Sequence, residues 1–284
     1  MKVFYNIKQS VSANESFSPS AGKPRLVLEA WRALELPLEV SSFAPATIAD
    51  LSLAHSQDYV LGVLLGRQAN GFGNTSEAIA DSLPWTTGSF VAAAQHAAET
   101  GNPAASLTSG FHHAGYDHGG GFCTFNGLMV AAQVLKKEGL VKKVGILDLD
   151  AHYGNGTNDI IRERKLGYIE HYTFGAEGIR PGNADQWIKD LPGIILNTFK
   201  DCDVLLFQAG ADPHINDPLG GSLSTEQMRK RDQIVFETCR KMNLPIAWNL
   251  AGGYQTPIER VLEIHNNTAI QCVIAYEETK KEAA

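Results

Sequence analysis

Asp148, Asp150 and His152 stand at alternate positions where an apolar run ends, immediately before a turn carrying Gly154 and Gly156. In an extended strand successive side chains alternate faces, so these three groups project to one side while Leu147, Leu149 and Ala151 project to the other. Two carboxylates and an imidazole converging at a strand end are ligands for a divalent cation, and glycines let the chain turn beside them. The alternative use of the same residues is an ordinary strand-to-helix loop in which the aspartates cap the following helix.

Three further clusters follow apolar segments in the same way. Gly110-Phe111-His112-His113-Ala114 comes after 105–108, Ala209-Gly210-Ala211-Asp212-Pro213-His214 after 203–208, and Ala251-Gly252-Gly253-Tyr254 after 245–250. Open α/β sheets gather ligands at the carboxyl ends of their strands, so the clusters are read as one site. Asp150, His152 and Asp212 offer two oxygens and a nitrogen to one ion, leaving the open position of a catalytic zinc site. Such an ion polarises a carbonyl and lowers the pKa of water to about 7. His112 and His113 supply a proton acceptor and a proton donor, and the Tyr254 phenol a hydrogen bond to a developing oxyanion. Singly, the histidine pair and the tyrosine read equally well as packing residues; their common placement after strands gives them chemistry.

The elements that must position these groups are an alternation of strands and helices from about residue 100 onward, the pattern of a parallel sheet flanked by helices. Strands are predicted at 105–108, 143–149, 167–173, 203–208 and 245–250, with an early one at 2–5. A helix after Ser224 carries a capping box with Gln227 and an apolar face of Met228, Val235, Cys239 and Met242. Another is predicted from Asn126 to Glu138, stopped at Gly139. The first hundred residues read as more helical, near 24–34, 57–65 and 88–100. Residues 71–75 read as an exposed loop, and 277–284 as a frayed tail.

The chain has 284 residues, 44% hydrophobic and 19% charged, which fits one globular α/β unit over 1–284. No window carries the roughly 18 uninterrupted apolar residues of a membrane span, and the N-terminus lacks the features of a signal peptide, so a cytoplasmic protein is expected. Cys123, Cys202, Cys239 and Cys272 form no CxxC pair, which argues for scattered thiols rather than disulfides or a cysteine metal site. The net charge of −7 argues against non-specific nucleic-acid binding and suits a cationic substrate.

Together these residues resemble the histone deacetylase superfamily, which includes bacterial histone deacetylase-like amidohydrolases and acetylpolyamine amidohydrolases. The resemblance runs from about Leu53 to Tyr254. It rests on the 110–114 segment continued by Gly120-Gly121-Phe122-Cys123-Thr124-Phe125-Asn126, on Asp148 to His152 with Gly154-Asn155-Gly156-Thr157, on 209–212 with Asp217-Pro218-Leu219-Gly220, and on Gly252-Gly253-Tyr254. It implies a single-domain, three-layer arginase/deacetylase-like α/β fold with a mainly parallel central sheet. It also implies one zinc ion on Asp150, His152 and Asp212, with His112 and His113 serving proton transfer, His113 as the base, and Tyr254 stabilising the oxyanion. The Gly121 carbonyl would accept from the substrate amide, and Phe122 would wall a tunnel for its alkyl arm. Asp148 would orient His112 and help hold potassium, and Asn155 would partner His113. An imidazole backed by anionic Asp148 is favoured in its charged form, whereas one backed by neutral Asn155 is left free to accept a proton.

The chain departs from the family pattern at Tyr153, where a second histidine is common, at 168–171, which lacks the serine of the cation loop, and at Pro24-Arg25, a weak echo of a proline and arginine segment. The expected activity is zinc-dependent removal of an acetyl or related acyl group from an amine on a flexible chain, either acetyl-lysine or a small acylated amine. Leu219 supplies no acid at the rim, which weighs against polyamine selectivity; His118 and Asp117 are the other rim candidates. The alternatives are an arginase-like binuclear manganese ureohydrolase, needing more acidic ligands, and a sensor that binds acylated ligands without turnover. Self-association is left open.

Overall fold

A computed structural model describes residues 1–12 and 16–282, with side chains as far as 277. Seven strands, β1 (Lys2–Phe4), β2 (Glu39–Ser41), β3 (Ala104–Ser106), β4 (Val144–Asp148), β5 (Ile169–Thr173), β6 (Val204–Gly210) and β7 (Ile246–Ala251), form one sheet in the order β2-β1-β3-β7-β6-β4-β5. Every pairing is parallel. All carboxyl ends therefore lie along one edge, which brings sequence-distant loops into contact.

The central strands β4, β6 and β7 are buried along their whole length, with apolar residues on both sides, because both faces of the sheet are covered there. Consecutive residues divide between two cores. Val3, Ala105, Leu147, Leu205 and Trp248 face one layer, built on α1 (Lys23–Ala33), α7 (Ala184–Phe199), α8 (Thr225–Met242) and α9 (Glu259–Glu282). Phe4, Ala104, Ile146, Leu206 and Ala247 face the other, with α2 (Ile48–Ala54), α3 (Gln57–Leu64), α4 (Glu77–Thr100), α5 (Gly127–Lys137) and α6 (Asn155–Arg164). The three-layer α/β architecture with a parallel central sheet is thus as predicted.

Local signals account for much of this. Ser224 and Gln227 form the predicted capping box of α8, with reciprocal bonds of 3.2 and 2.8 Å, and the Asn126 side chain caps α5 through Met129 N–H. The helix predicted at 88–100 starts eleven residues earlier. Ser76 caps it and Pro84 lies inside it; the Pro84 carbonyl accepts from Ala46 N–H at 2.8 Å, so packing against the 44–46 segment accompanies the proline. β2, α2, α6, α7 and α9 are not among the predicted elements, although Thr47 and Asp50 form a capping box at the start of α2. Gly71, expected in an exposed loop, is buried: its N–H donates to Thr124 Oγ1 and its carbonyl accepts from Phe122 N–H. The tail expected to fray from 277 is helical as far as Glu282, and 283–284 lie outside the described residues. Cys123, Cys239 and Cys272 are buried and Cys202 partly so, all as free thiols. No helix among the described residues is long and apolar enough to cross a membrane.

Candidate metal and catalytic centre

The loops after β3, β4, β6 and β7 meet at the carboxyl edge of the sheet. His112, His113, Gly121, Phe122, Asp150, His152 and Tyr254 line a single cavity of about 270 Å³ there, counted with its open mouth. β4 ends at Asp148, so Asp150 and His152 lie just beyond it, and Gly154 rather than an aspartate stands at the start of α6, with no side-chain cap. The aspartates are therefore free for other work.

Ligand atoms of Asp150, His152 and Asp212 all lie within 4.8 Å of one another. His152 Nδ1 is 3.1 Å from Asp150 Oδ1 and 3.0 Å from Asp212 Oδ2. A tetrahedral ion with donors at about 2.0–2.2 Å holds them roughly 3.3–3.6 Å apart, so the trio needs little adjustment to take zinc. Asp212 Oδ2 is buried without a hydrogen bond of usable geometry, a costly arrangement for a carboxylate unless a cation meets it. Electrostatics agree. Burial and the Asp150 charge push the Asp212 carboxyl up to about 7. The Asp150 and Asp212 carboxylates, 3.1 and 3.0 Å from its Nδ1, push His152 up to about 10, so the trio favours positive charge at its centre. These residues fit zinc.

The histidines differ as their partners do. His112, buried, lies 2.6 Å from Asp148 Oδ2 through Nδ1 and 3.5 Å from Asp150 Oδ1 through Nε2. Burial disfavours its charged form, but Asp148 and Asp150 overcome this and bring it up to about 9. His113 Nδ1 donates to Asn155 Oδ1 at 2.6 Å; burial and the neighbouring His112 cation move its pKa down, leaving Nε2 as an acceptor. The rings are 4.1 Å apart. Burial and the charges of Asp150 and Asp212 hold the Tyr254 phenol protonated, hence a donor.

Gly121 and Phe122 both have positive φ, 53° and 65°. A Cβ on Gly121 would stand 2.4 Å from His113 Cδ2, so this close approach admits only glycine. For Phe122, a bulky residue, the left-handed conformation is strained. It sets the ring 5.6 Å from Tyr254, 5.7 Å from Phe72 and 5.3 Å from Phe17. The result is an apolar mouth to which Phe17, 74% exposed, adds an unforeseen wall.

The potassium implied beside Asp148 would lie among donors that are already engaged. Asp148 Oδ1 accepts from Asp150 N–H and Gln208 Nε2, and Oδ2 from His112. His171 turns Nε2 toward Gly154, on the side of Asp148 Oδ2, and the Thr173 hydroxyl, in register with Asp148 across β4 and β5, accepts from Gly154 N–H at 3.1 Å. No chemistry is assigned to the ion.

Several contributors had no role assigned from sequence. Asp217 accepts the Tyr254 N–H at 2.7 Å and the Leu219 N–H at 3.0 Å, fixing the tyrosine loop. Lys23, wholly buried, donates to the Gly252 carbonyl; burial brings its pKa down to about 8 although Asp212, Asp150 and Asp217 favour its charge. The neighbouring Arg25, the weak echo noted above, is instead half exposed beside Glu29. A lysine buried in the first turn of a helix gives no local sign of it. Tyr153 is turned away, its hydroxyl accepting from Asn158. Leu219, Asp117 and His118 are exposed and stand outside the cavity lining.

Residues 20–186 match the histone deacetylase domain model. A probable deacetylase from Methanothermobacter thermautotrophicus is 26% identical over 288 aligned residues, covering 89% of this chain and 86% of that protein. Two solved structures share the fold: the HDA15 HD domain, with a TM-score of 0.77 at 21% identity over 98% of this chain and 90% of that one, and an acetylpolyamine aminohydrolase from Burkholderia pseudomallei, with a TM-score of 0.75 at 17% identity over 97% and 99%. With more than half its length matched, the chain belongs to the histone deacetylase family of deacetylases and amidohydrolases.

Proposed function

We propose that this chain is a zinc-dependent amidohydrolase, acting as one catalytic unit, that removes an acetyl or related acyl group from an N-acylated amine. The observation that carries the reading is the convergence of Asp150, His152 and Asp212 around the orphaned Asp212 oxygen, beside a neutral histidine and a protonated phenol. Zinc held by these three residues would supply Lewis-acid polarisation of the acyl carbonyl.

The remaining work falls to the chain. His113 Nε2 takes the proton from attacking water and delivers one to the leaving amine, its ring held by Asn155. His112, kept charged by Asp148, lends positive potential beneath the reacting carbonyl. Tyr254 donates to the developing oxyanion, and the Gly121 carbonyl, approached by Cys123 Sγ at 3.5 Å, accepts from the substrate amide. Phe122 and its aromatic neighbours favour an unbranched alkyl arm. An adjoining apolar recess, lined by Phe72, Leu83, Phe111 and Phe125 and sharing Phe122 and Gly110 with the catalytic cavity, supports acyl groups related to acetyl.

The reading places the activity in the cytoplasm, on an acylated small molecule or peptide rather than on nucleic acid. A panel of acetyl-lysine peptides, acetylpolyamines and longer acyl-lysines, offered to zinc-reconstituted protein, tests it: turnover of at least one class is expected, and zinc binding without turnover of any would favour the sensor reading instead.

A further inference from the structure

Asp150 and Asp212 both lie beyond the ends of their strands, so the ladder does not itself fix their separation. The last backbone–backbone bond between the two strands runs from Leu149 N–H to the Gln208 carbonyl, 3.1 Å, and beyond it Ala151 N–H donates to Asp212 Oδ1 at 3.1 Å. Past it, the carbonyls of Leu149 and Gly210 are left at the point where the backbone turns toward the two carboxylates. Both are taken by one side chain. Arg231, wholly buried on α8, directs Nη1 to the Gly210 carbonyl at 2.7 Å and to the Leu149 carbonyl at 3.2 Å.

The guanidinium is itself held. Nε donates to Asp232 Oδ1 at 2.8 Å, and Asp232 Oδ2 accepts from Thr268 Oγ1 of α9 at 2.6 Å. The strands touch where the bracket acts: a Cβ on Gly210 would lie 2.5 Å from Asp150 Cα, so any side chain there would drive the two loops apart. The two N–H groups of Nη1 lie in the guanidinium plane, whose orientation the Nε bond to Asp232 fixes, whereas an ammonium is free to rotate its donors.

We propose that Arg231 is a positioning residue for the metal centre, clamping the Leu149 and Gly210 carbonyls and so setting the spacing of Asp150 and Asp212. This rests on reading those aspartates and His152 as zinc ligands. Metal–ligand distances tolerate only about 0.2 Å, and groups that orient ligands contribute about 10–100-fold to metal affinity.

The test is the zinc dissociation constant, measured by chelator competition on the full chain, alongside thermal unfolding of the metal-free form. The double variant R231M/D232L removes the buried ion pair as a unit, a change that often leaves stability unaltered, and Thr268 keeps a bond to the Ile264 carbonyl. It is expected to stay folded with a lowered melting temperature, because the Leu149 and Gly210 carbonyls lose their donor, and to bind zinc about 10–100-fold more weakly. R231K, the gentler variant should the double one fail to fold, is expected to show a smaller loss in the same direction. A side chain that only packs would move the melting temperature and leave zinc affinity alone; unchanged affinity in a folded variant overturns the proposal while the zinc reading stands. Wild-type protein that binds no zinc overturns that reading and the bracket with it.

Discussion

Replacing Asp148 by asparagine tests how this chain makes two adjacent histidines different. The carboxylate accepts His112 Nδ1–H at one oxygen, and Asp150 N–H and Gln208 Nε2–H at the other. An asparagine has a single acceptor oxygen, so either orientation leaves an amide N–H facing a donor. More informative is the charge. His112 stands at about 9 against an ordinary 6.5, and 2.5 pKa units amount to about 3 kcal/mol. Because the folded pKa lies above the unfolded one, this stabilisation is complete below about pH 6.5 and is lost as pH rises through about 9. In metal-free protein, urea unfolding at pH 6 and pH 9.5 should show D148N less stable than wild type at both. The gap should narrow by up to about 3 kcal/mol at the higher pH, since Asp150 supplies part of the shift and remains. Groups such as His152 titrate in both proteins and cancel. A gap independent of pH would refute the view that Asp148 keeps His112 charged.

Three further outcomes are expected. His113→Ala should keep zinc and melting temperature while kcat falls about 10²–10⁴-fold, read with a saturating acyl-amine substrate. Tyr254→Phe should lower kcat about 10²–10³-fold with KM little changed, because the phenol acts on the oxyanion; equal loss through KM alone would point to ground-state binding. Asp212→Ala should abolish tight zinc binding, checked by metal analysis after dialysis, while the metal-free fold is retained.

The strand ends were legible because a parallel sheet concentrates its chemistry at one edge and each apolar run stops sharply in polar sequence. The pairing of His112 with Asp148 and of His113 with Asn155 was accessible through family resemblance and is now visible as geometry. The capping box and the apolar face of α8 were local signals that survive in the fold. What escaped sequence reading depends on contacts between residues far apart in the chain. Lys23 reaches Gly252 across 229 positions, Asp217 fixes Tyr254 across 37, and Arg231 spans two strand ends; none leaves a periodicity or a spacing. Gly71 misled for the same reason, since the glycine and asparagine content of 71–75 marks a loop, as 72–75 are, while the burial of Gly71 against 122–124 is decided by tertiary packing.

The central claim is that Asp150, His152 and Asp212 hold one zinc ion on which hydrolysis depends. The direct measurement is acyl release by chelator-stripped protein titrated with zinc, using whichever substrate class the panel identifies. Activity should be absent from the stripped protein and rise to a plateau at one zinc per chain. Turnover that survives complete metal removal, or that requires two metal ions per chain, would contradict the claim.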